Sequence, residues 1–240
     1  MPQLNDTHHH DHYHDHPHAE ISQTGRPSYY EIMETAVREL LIEKRLIGPE
    51  EIRRQIEVLD SRTPVLGAKV VARAWVDPEF RARLLADGRG ACEELGISFY
   101  DDTGLIVLEN TDKVHNLIVC TLCSCYPRPI LGMSPEWYRT PNYRRRIVRW
   151  PRQVLAEFGL YLPEDVEIRV EDSNSKHRFM VLPVRPNGTE GWSEAQLAEI
   201  VTRDCLIGVA LPKPGVTTNA IRPLHPALRP VAGDRAEGEA

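Results

Sequence analysis

The apolar positions of this chain change period near residue 105. From Ser28 to Leu46 they recur at helical spacing, with Ile32, Ala36 and Leu40 on one line and Val37 and Leu41 beside it. Gly48-Pro49 breaks that helix, and Pro49-Glu50-Glu51 opens a second through Leu59. A third runs from Pro64 to Trp75, with Val65, Ala68, Val71 and Trp75 on one side. Asp77 reads as an N-cap before Pro78, starting a helix to Ala86, and Gly88 to Gly96 holds a short one that Gly96 ends. Beyond Leu105 the pattern becomes mixed. Leu105 to Leu108 and Leu117 to Val119 are short apolar runs of buried-strand type, while Val166 to Val170 alternates as a half-buried strand should. Phe179 to Val184 is a further strand. Helices are expected from a Ser134 N-cap, after Pro141, after Pro151 to Phe158-Gly159, and from the capping-box spacing Ser193 to Gln196 on to Thr202.

Strands and helices interleaved in this way predict an α+β fold. The expected organisation is a His-rich tail (1–25), a helical N-terminal arm (26–104) and a layered α-β-β-α metal-binding domain (105–214). An extended C-terminal tail (215–240) follows. Residues 1–25 have almost no apolar surface and are expected to be disordered. Their histidines, among them His8, His9, His10, His12, His14, His16 and His18, alternate with aspartates. They make either a loose trap for cobalt, nickel or zinc or an inert tail.

Composition narrows the function classes. A hydrophobic content of 41% is ordinary for a globular protein, and no stretch approaches the roughly 18 apolar residues of a membrane span. A net charge of −6 argues against general nucleic-acid binding, so the arginines at 144, 145, 146, 149 and 152 are expected on a solvated or intersubunit face. The N-terminus lacks the apolar core of a secretory signal, and five mostly clustered cysteines do not look like a disulfide framework; a reducing cytoplasm is expected. Asn187-Gly188-Thr189 then reads as turn chemistry rather than a glycosylation site.

Three of the five cysteines fall in Val119-Cys120-Thr121-Leu122-Cys123-Ser124-Cys125, between an apolar run and Tyr126-Pro127-Arg128-Pro129, a strand running into a sharply stopped turn. Cys120 and Cys123 have the two-residue gap of zinc knuckles and redox pairs, and Cys125 adds a third sulfur. A four-cysteine site lacks its fourth ligand, since Cys205 stands alone and Cys92 reads as a small packed residue. The chain can instead fold as a claw in which three sulfurs and intervening amide nitrogens face one trivalent ion. A redox loop and structural thiols are the competing readings, and a metal-carrying protein is the competing function.

The same seven residues resemble the metal motif of the nitrile hydratase α subunit and of its relative, the thiocyanate hydrolase γ subunit. The resemblance continues through Pro129 to Gly132, Pro135 to Tyr138, Arg149 to Gly159, Asp172-Ser173 and Gly188 to Trp192, covering about Leu105 to Leu211. It implies Cys120 as an unmodified thiolate ligand, Cys123 oxidised to sulfinic acid and Cys125 to sulfenic acid. The amide nitrogens of Ser124 and Cys125 complete the set. Cys123 and Cys125 are thereby also the catalytic candidates. Thr121, rather than serine, marks cobalt over iron. A β-type partner subunit would cover the loop with its own arginines, and a metallochaperone or activator is a further expected partner. The ion acts as a Lewis acid towards a small C≡N substrate. Tyr126-Pro127-Arg128-Pro129 matches the thiocyanate hydrolase pattern, and Arg128 would favour an anion. Leu108 to Thr111 and Val114 to Leu117 look more like nitrile hydratases, and the region of Asp101 lacks the glutamine that many of them carry. The expected function is cobalt-dependent hydration of thiocyanate, with nitrile hydration as the alternative. Asp172 and Asp204 are read as ion pairs with Arg169 and Arg203, or as acid–base groups. His115 is read as a hydrogen-bonded residue preceding its strand.

Overall fold

The computed structural model describes residues 27–100, 102–123 and 125–215; Asp101, Ser124, the expected N-terminal tail and all but the first residue of the expected C-terminal tail lie outside them. Eleven helices and four strands occur among these residues. The contacts divide the chain into two units, Met1–Ile56 and Glu57–Ala240.

In the first unit, α1 (Tyr29–Glu43) starts at a full capping box, in which the Ser28 hydroxyl accepts from Glu31 N and the Glu31 carboxylate accepts from Ser28 N. It buries no residue, and Tyr29, Ile32, Val37 and Leu40 are exposed. Helix α2 (Pro49–Asp60) begins at the expected Gly48-Pro49 break and continues past the unit boundary.

The second unit builds its core around α3 (Pro64–Val76), an apolar helix with Ala68, Val70, Val71 and Ala74 buried. Helices α4 (Pro78–Ala86) and α5 (Gly88–Glu94) are capped by Asp77 and Asp87, each accepting from a backbone N–H three residues on. Both pack on β1 (Gly104–Glu109). The expected arm of residues 26–104 therefore does not hold together as one piece. Helices α3 to α5 share one apolar cluster with the strands, because Phe80, Leu84, Ala91 and Cys92 find partners in Leu105 and Val107 that a linear reading does not reveal.

Two small parallel sheets follow. Strand β1 pairs with β4 (His177–Leu182), with Gly104 opposite His177, and β2 (Val114–Val119) pairs with β3 (Glu167–Asp172), with Val119 opposite Asp172. Helix α9 (Pro151–Glu157) packs on β3, and α11 (Arg203–Ile207) packs on β4 and β2. Between β2 and β3 the chain forms α6 (Arg128–Leu131), α7 (Glu136–Arg139) and α8 (Pro141–Arg149), and α10 (Glu194–Glu199) packs on α3. The architecture is α+β, as the mixed periodicity predicts.

Several local expectations are corrected. Tyr126 to Pro129 is not simply a stopped turn, because it leads into the single-turn helix α6. Ser134 does not cap α7; Pro135 holds that position without a side-chain bond. Helix α10 ends at Glu199, short of Thr202, whose hydroxyl instead caps α11.

His115 lies within β2, not before it, and the polar pair His115–Asn116 is buried there because its hydrogen bonds are met. Nε2 of His115 is 2.6 Å from the Gly208 carbonyl and Nδ1 is 3.1 Å from Asn110 Nδ2, while Asn116 Nδ2 donates to Glu109 O at 2.8 Å. A neutral ring with its proton on Nε2 donates to the first partner and accepts from the second. Burial holds the His115 pKa below its usual 6.5, against the pull of the Gly208 carbonyl. The unfolded chain therefore takes up a proton that the folded one resists, and this contribution to stability is full above pH 6.5 and falls as pH drops below it. Urea unfolding across that range is expected to show the decline in the parent protein and a flatter profile in His115→Gln. Equal slopes would remove His115 as its source.

Candidate metal centre

Two parallel strands end side by side and present the cysteine loop. The carboxylate of Asp172, at the end of β3, receives Thr121 N at 2.9 Å on one oxygen and the Thr121 hydroxyl on the other. Ser173 N continues the pairing to Val119 O at 2.7 Å. Asp172 is thus a support of the loop and not the expected partner of Arg169, which pairs with Glu167.

The loop brings the three thiols together. Sγ of Cys123 lies 3.4 Å from that of Cys120 and 3.2 Å from that of Cys125, and all three sulfurs lie within 4.8 Å of one another. Cys120 is buried, Cys125 half-buried and Cys123 exposed, so one side of the cluster faces outward. Burial, followed by the neighbouring thiols, pushes the Cys125 thiol up to about 12, with Arg178 opposing. Such a group stays a neutral thiol near pH 7 unless a cation displaces its proton. The spacing itself suits an ion. Two sulfurs bound at right angles with bonds of about 2.3 Å sit about 3.3 Å apart, and about 3.8 Å apart at a tetrahedral angle. Both separations, 3.4 and 3.2 Å, fall close to the range that thiolates on one ion occupy.

Behind the loop stands a packed aromatic group. Trp137 meets Tyr143 and Phe158 edge-on, each at 4.8 Å between centroids, and Tyr126 meets Tyr138 at 5.1 Å. Two of these rings end in useful hydroxyls: Tyr143 Oη donates to Ile118 O at 2.9 Å and Tyr138 Oη to Cys125 O at 3.1 Å. Burial raises the pKa values of Tyr126, Tyr138 and Tyr143, so the Tyr138 and Tyr143 hydroxyls act as neutral donors, while the Tyr126 hydroxyl is buried without a hydrogen-bond partner. From α8, Arg144 Nη1 donates to Cys123 O at 3.0 Å.

The expected basic face is therefore partly internal. Besides Arg144, Arg146 pairs with Glu157, and Arg152 donates to the carbonyls of Leu162, Pro163 and Val166. Arg145 and Arg149 are exposed, as is Arg128 just past the loop. Asp204 meets Arg203 only at 3.9 Å, and neither it nor His115 belongs to the thiol group. Cys92 and Cys205 are buried and apart from it, and burial pushes their thiols up to about 12 and about 11. Ser124 lies outside the described residues. The loop supports Tyr138, Arg144 and Asp172 were not legible as such. All three stood within the resembling stretches, but their bonds depend on strand and helix pairing that no short spacing encodes.

Residues 28–210 match the family model described as nitrile hydratase, alpha chain. The chain belongs to that family. Thiocyanate hydrolase subunit gamma of Thiobacillus thioparus is 56% identical over 218 residues, which is 86% of this chain and 90% of the relative. Nitrile hydratase subunit alpha of a Rhodococcus species is 57% identical over 176 residues, covering 72% of this chain and 88% of that one. Among solved structures, a recombinant thiocyanate hydrolase comprising partially-modified cobalt centers superposes with a TM-score of 0.77 at 55% identity, over 86% of this chain and all of that one. As a member of the nitrile hydratase α-chain family, the chain is a catalytic-subunit homologue, and its thiol cluster is suited to hold a metal ion.

Proposed function

We propose that the chain is the metal-bearing subunit of a cobalt-dependent thiocyanate hydrolase. The observation that carries this reading is the extent of the likeness to the thiocyanate hydrolase subunit, 218 residues against 176 for the nitrile hydratase of similar identity. Exposed Arg128 beside the loop supports it, since a fixed cation near the mouth raises the local concentration of an anionic substrate. Cys120, Cys123 and Cys125, with the main-chain nitrogens of Ser124 and Cys125, would hold the ion. Bound there, a trivalent cobalt supplies Lewis acidity towards the C≡N group and water.

The remaining work falls to the chain. Asp172 fixes Thr121 at the loop entrance, Tyr138 and Arg144 fix the carbonyls of Cys125 and Cys123, and the aromatic group behind Cys120 keeps water from the rear. Cys123 as sulfinate and Cys125 as sulfenate would present oxygens beside the substrate and tune the donor strength of the sulfurs. Arginines of a β-type partner subunit would bind those oxygens, and a metallochaperone or activator would load the loop. In balance, thiocyanate and two waters give carbonyl sulfide, ammonia and hydroxide. Five unbridged cysteines support a reducing compartment, for which the cytoplasm is the simplest candidate. Among the described residues no helix is long and apolar enough to cross a membrane.

Parallel assays of the purified complex on thiocyanate and on a small aliphatic nitrile test the substrate. Turnover of thiocyanate with release of ammonia is expected; turnover of the nitrile alone would make the chain a nitrile hydratase subunit. Metal analysis of the same sample separates cobalt from iron.

A further inference from the structure

Two consecutive odd-numbered carbonyls of the cysteine loop are held by side chains from one helical pair. Tyr138 of α7 meets the Cys125 carbonyl, and its ring is fully buried and wedged among Tyr126, Trp137 and Tyr143, so it is a rigid post. Arg144 of α8 meets the Cys123 carbonyl in a different way. Its long side chain is drawn inward, and its Nε is buried without a hydrogen-bond partner. Dehydrating an N–H in that way is unfavourable, so the side chain holds its place against a pull towards solvent. Packing of α8 does not explain the position. That helix is anchored by buried Tyr143 and Ile147 and by the Arg146–Glu157 pair.

Fixing the Cys123 carbonyl restrains the main chain of the middle cysteine and so limits where its thiol can lie. A cation on that oxygen also draws electron density towards itself. We propose that Arg144 is a positioning residue for the metal: through the Cys123 carbonyl it holds the middle thiol of the loop where an ion would meet it. This rests on the metal-loop reading of the preceding section. Arg144 touches neither substrate nor metal in this account; it acts through the main chain.

The test compares the full chain, purified with its co-expressed subunits, with Arg144→Met and Arg144→Lys. Each metal-free protein is titrated with cobalt under oxidising conditions, and affinity and the thiolate-to-cobalt absorption band are recorded beside the melting temperature. Arg144→Met is expected to lower cobalt affinity about 10- to 100-fold, as removal of outer-shell partners does, and to shift the band while the metal-free melting temperature holds. Arg144→Lys, which keeps a cationic donor, is expected to recover part of both. The inference is overturned if Arg144→Met matches the parent in affinity and band. It is also overturned if the melting temperature falls with affinity in both variants, which would make the role structural only. A parent protein that binds neither cobalt nor iron would overturn the metal-loop reading, and this inference with it.

Discussion

Cys123→Ala is expected to leave the assembled protein without metal and without turnover. Cys123 is the middle sulfur, 3.4 Å from Cys120 on one side and 3.2 Å from Cys125 on the other, and no other described cysteine is placed to substitute for it. Deleting it removes one donor from the set and leaves the outer pair without the sulfur that lies close to both. The expected loss of cobalt affinity exceeds about 100-fold, the upper end of what loss of a mere supporting hydrogen bond costs. Stability of the metal-free protein should barely change, because the Cys123 side chain is exposed and buries no apolar surface in the core. Metal content and ammonia release, measured on parent and variant with the melting temperature as control, check this. A variant that keeps its cobalt and its rate would remove Cys123 from the ligand set. Peptide mass mapping of the parent adds an independent reading: sulfinate on Cys123 and sulfenate on Cys125 together add about three oxygen atoms.

The largest stability effect is expected away from the loop, in Gly208→Ala. Gly208 ends α11 with φ +95°, and a Cβ there would stand 2.2 Å from the carbonyl oxygen of Asn116. The obstacle is the backbone of β2, the strand that delivers the cysteine loop, so no rotamer change relieves it. The same residue gives its carbonyl to His115 and its N–H to Asp204 and Cys205. A side chain at positive φ costs about 1–2 kcal/mol and overpacking a tight contact about 1–3 kcal/mol more. A loss of about 2–5 kcal/mol corresponds to a fall in melting temperature of roughly 5–15 °C for a domain of this size. Gly188→Ala is the matched control: it also has positive φ, 80°, but a Cβ there meets nothing within 4 Å. Its melting temperature should fall far less. Equal effects in the two variants would show that conformation alone, not the approach of α11 to β2, sets the cost at Gly208.

Sequence and tertiary structure contributed different kinds of information about this protein. Short-range physics is written locally, so the capping box at Ser193, the Asp77-Pro78 helix start and the Gly48-Pro49 break could be read residue by residue, and each stands in the structure as expected. The three cysteines were equally legible, because a loop of six residues cannot carry its thiols far apart. What could not be read was every feature that depends on which element lies beside which. Helices α3 to α5 looked unpartnered because their apolar faces meet β1 and other distant elements, not one another alone. Asp172 looked like a partner for Arg169, three positions away, yet the parallel register of β2 and β3 sets it opposite Val119 and aims it at Thr121. His115 and Asn116 broke an apolar run and so seemed to lie outside the strand; only the approach of Gly208 and Asn110 supplies the hydrogen bonds that let them be buried. A sequence records what each side chain can bond to, whereas long-range pairing decides which of those bonds form, and here that pairing turns a cluster of thiols into a braced site.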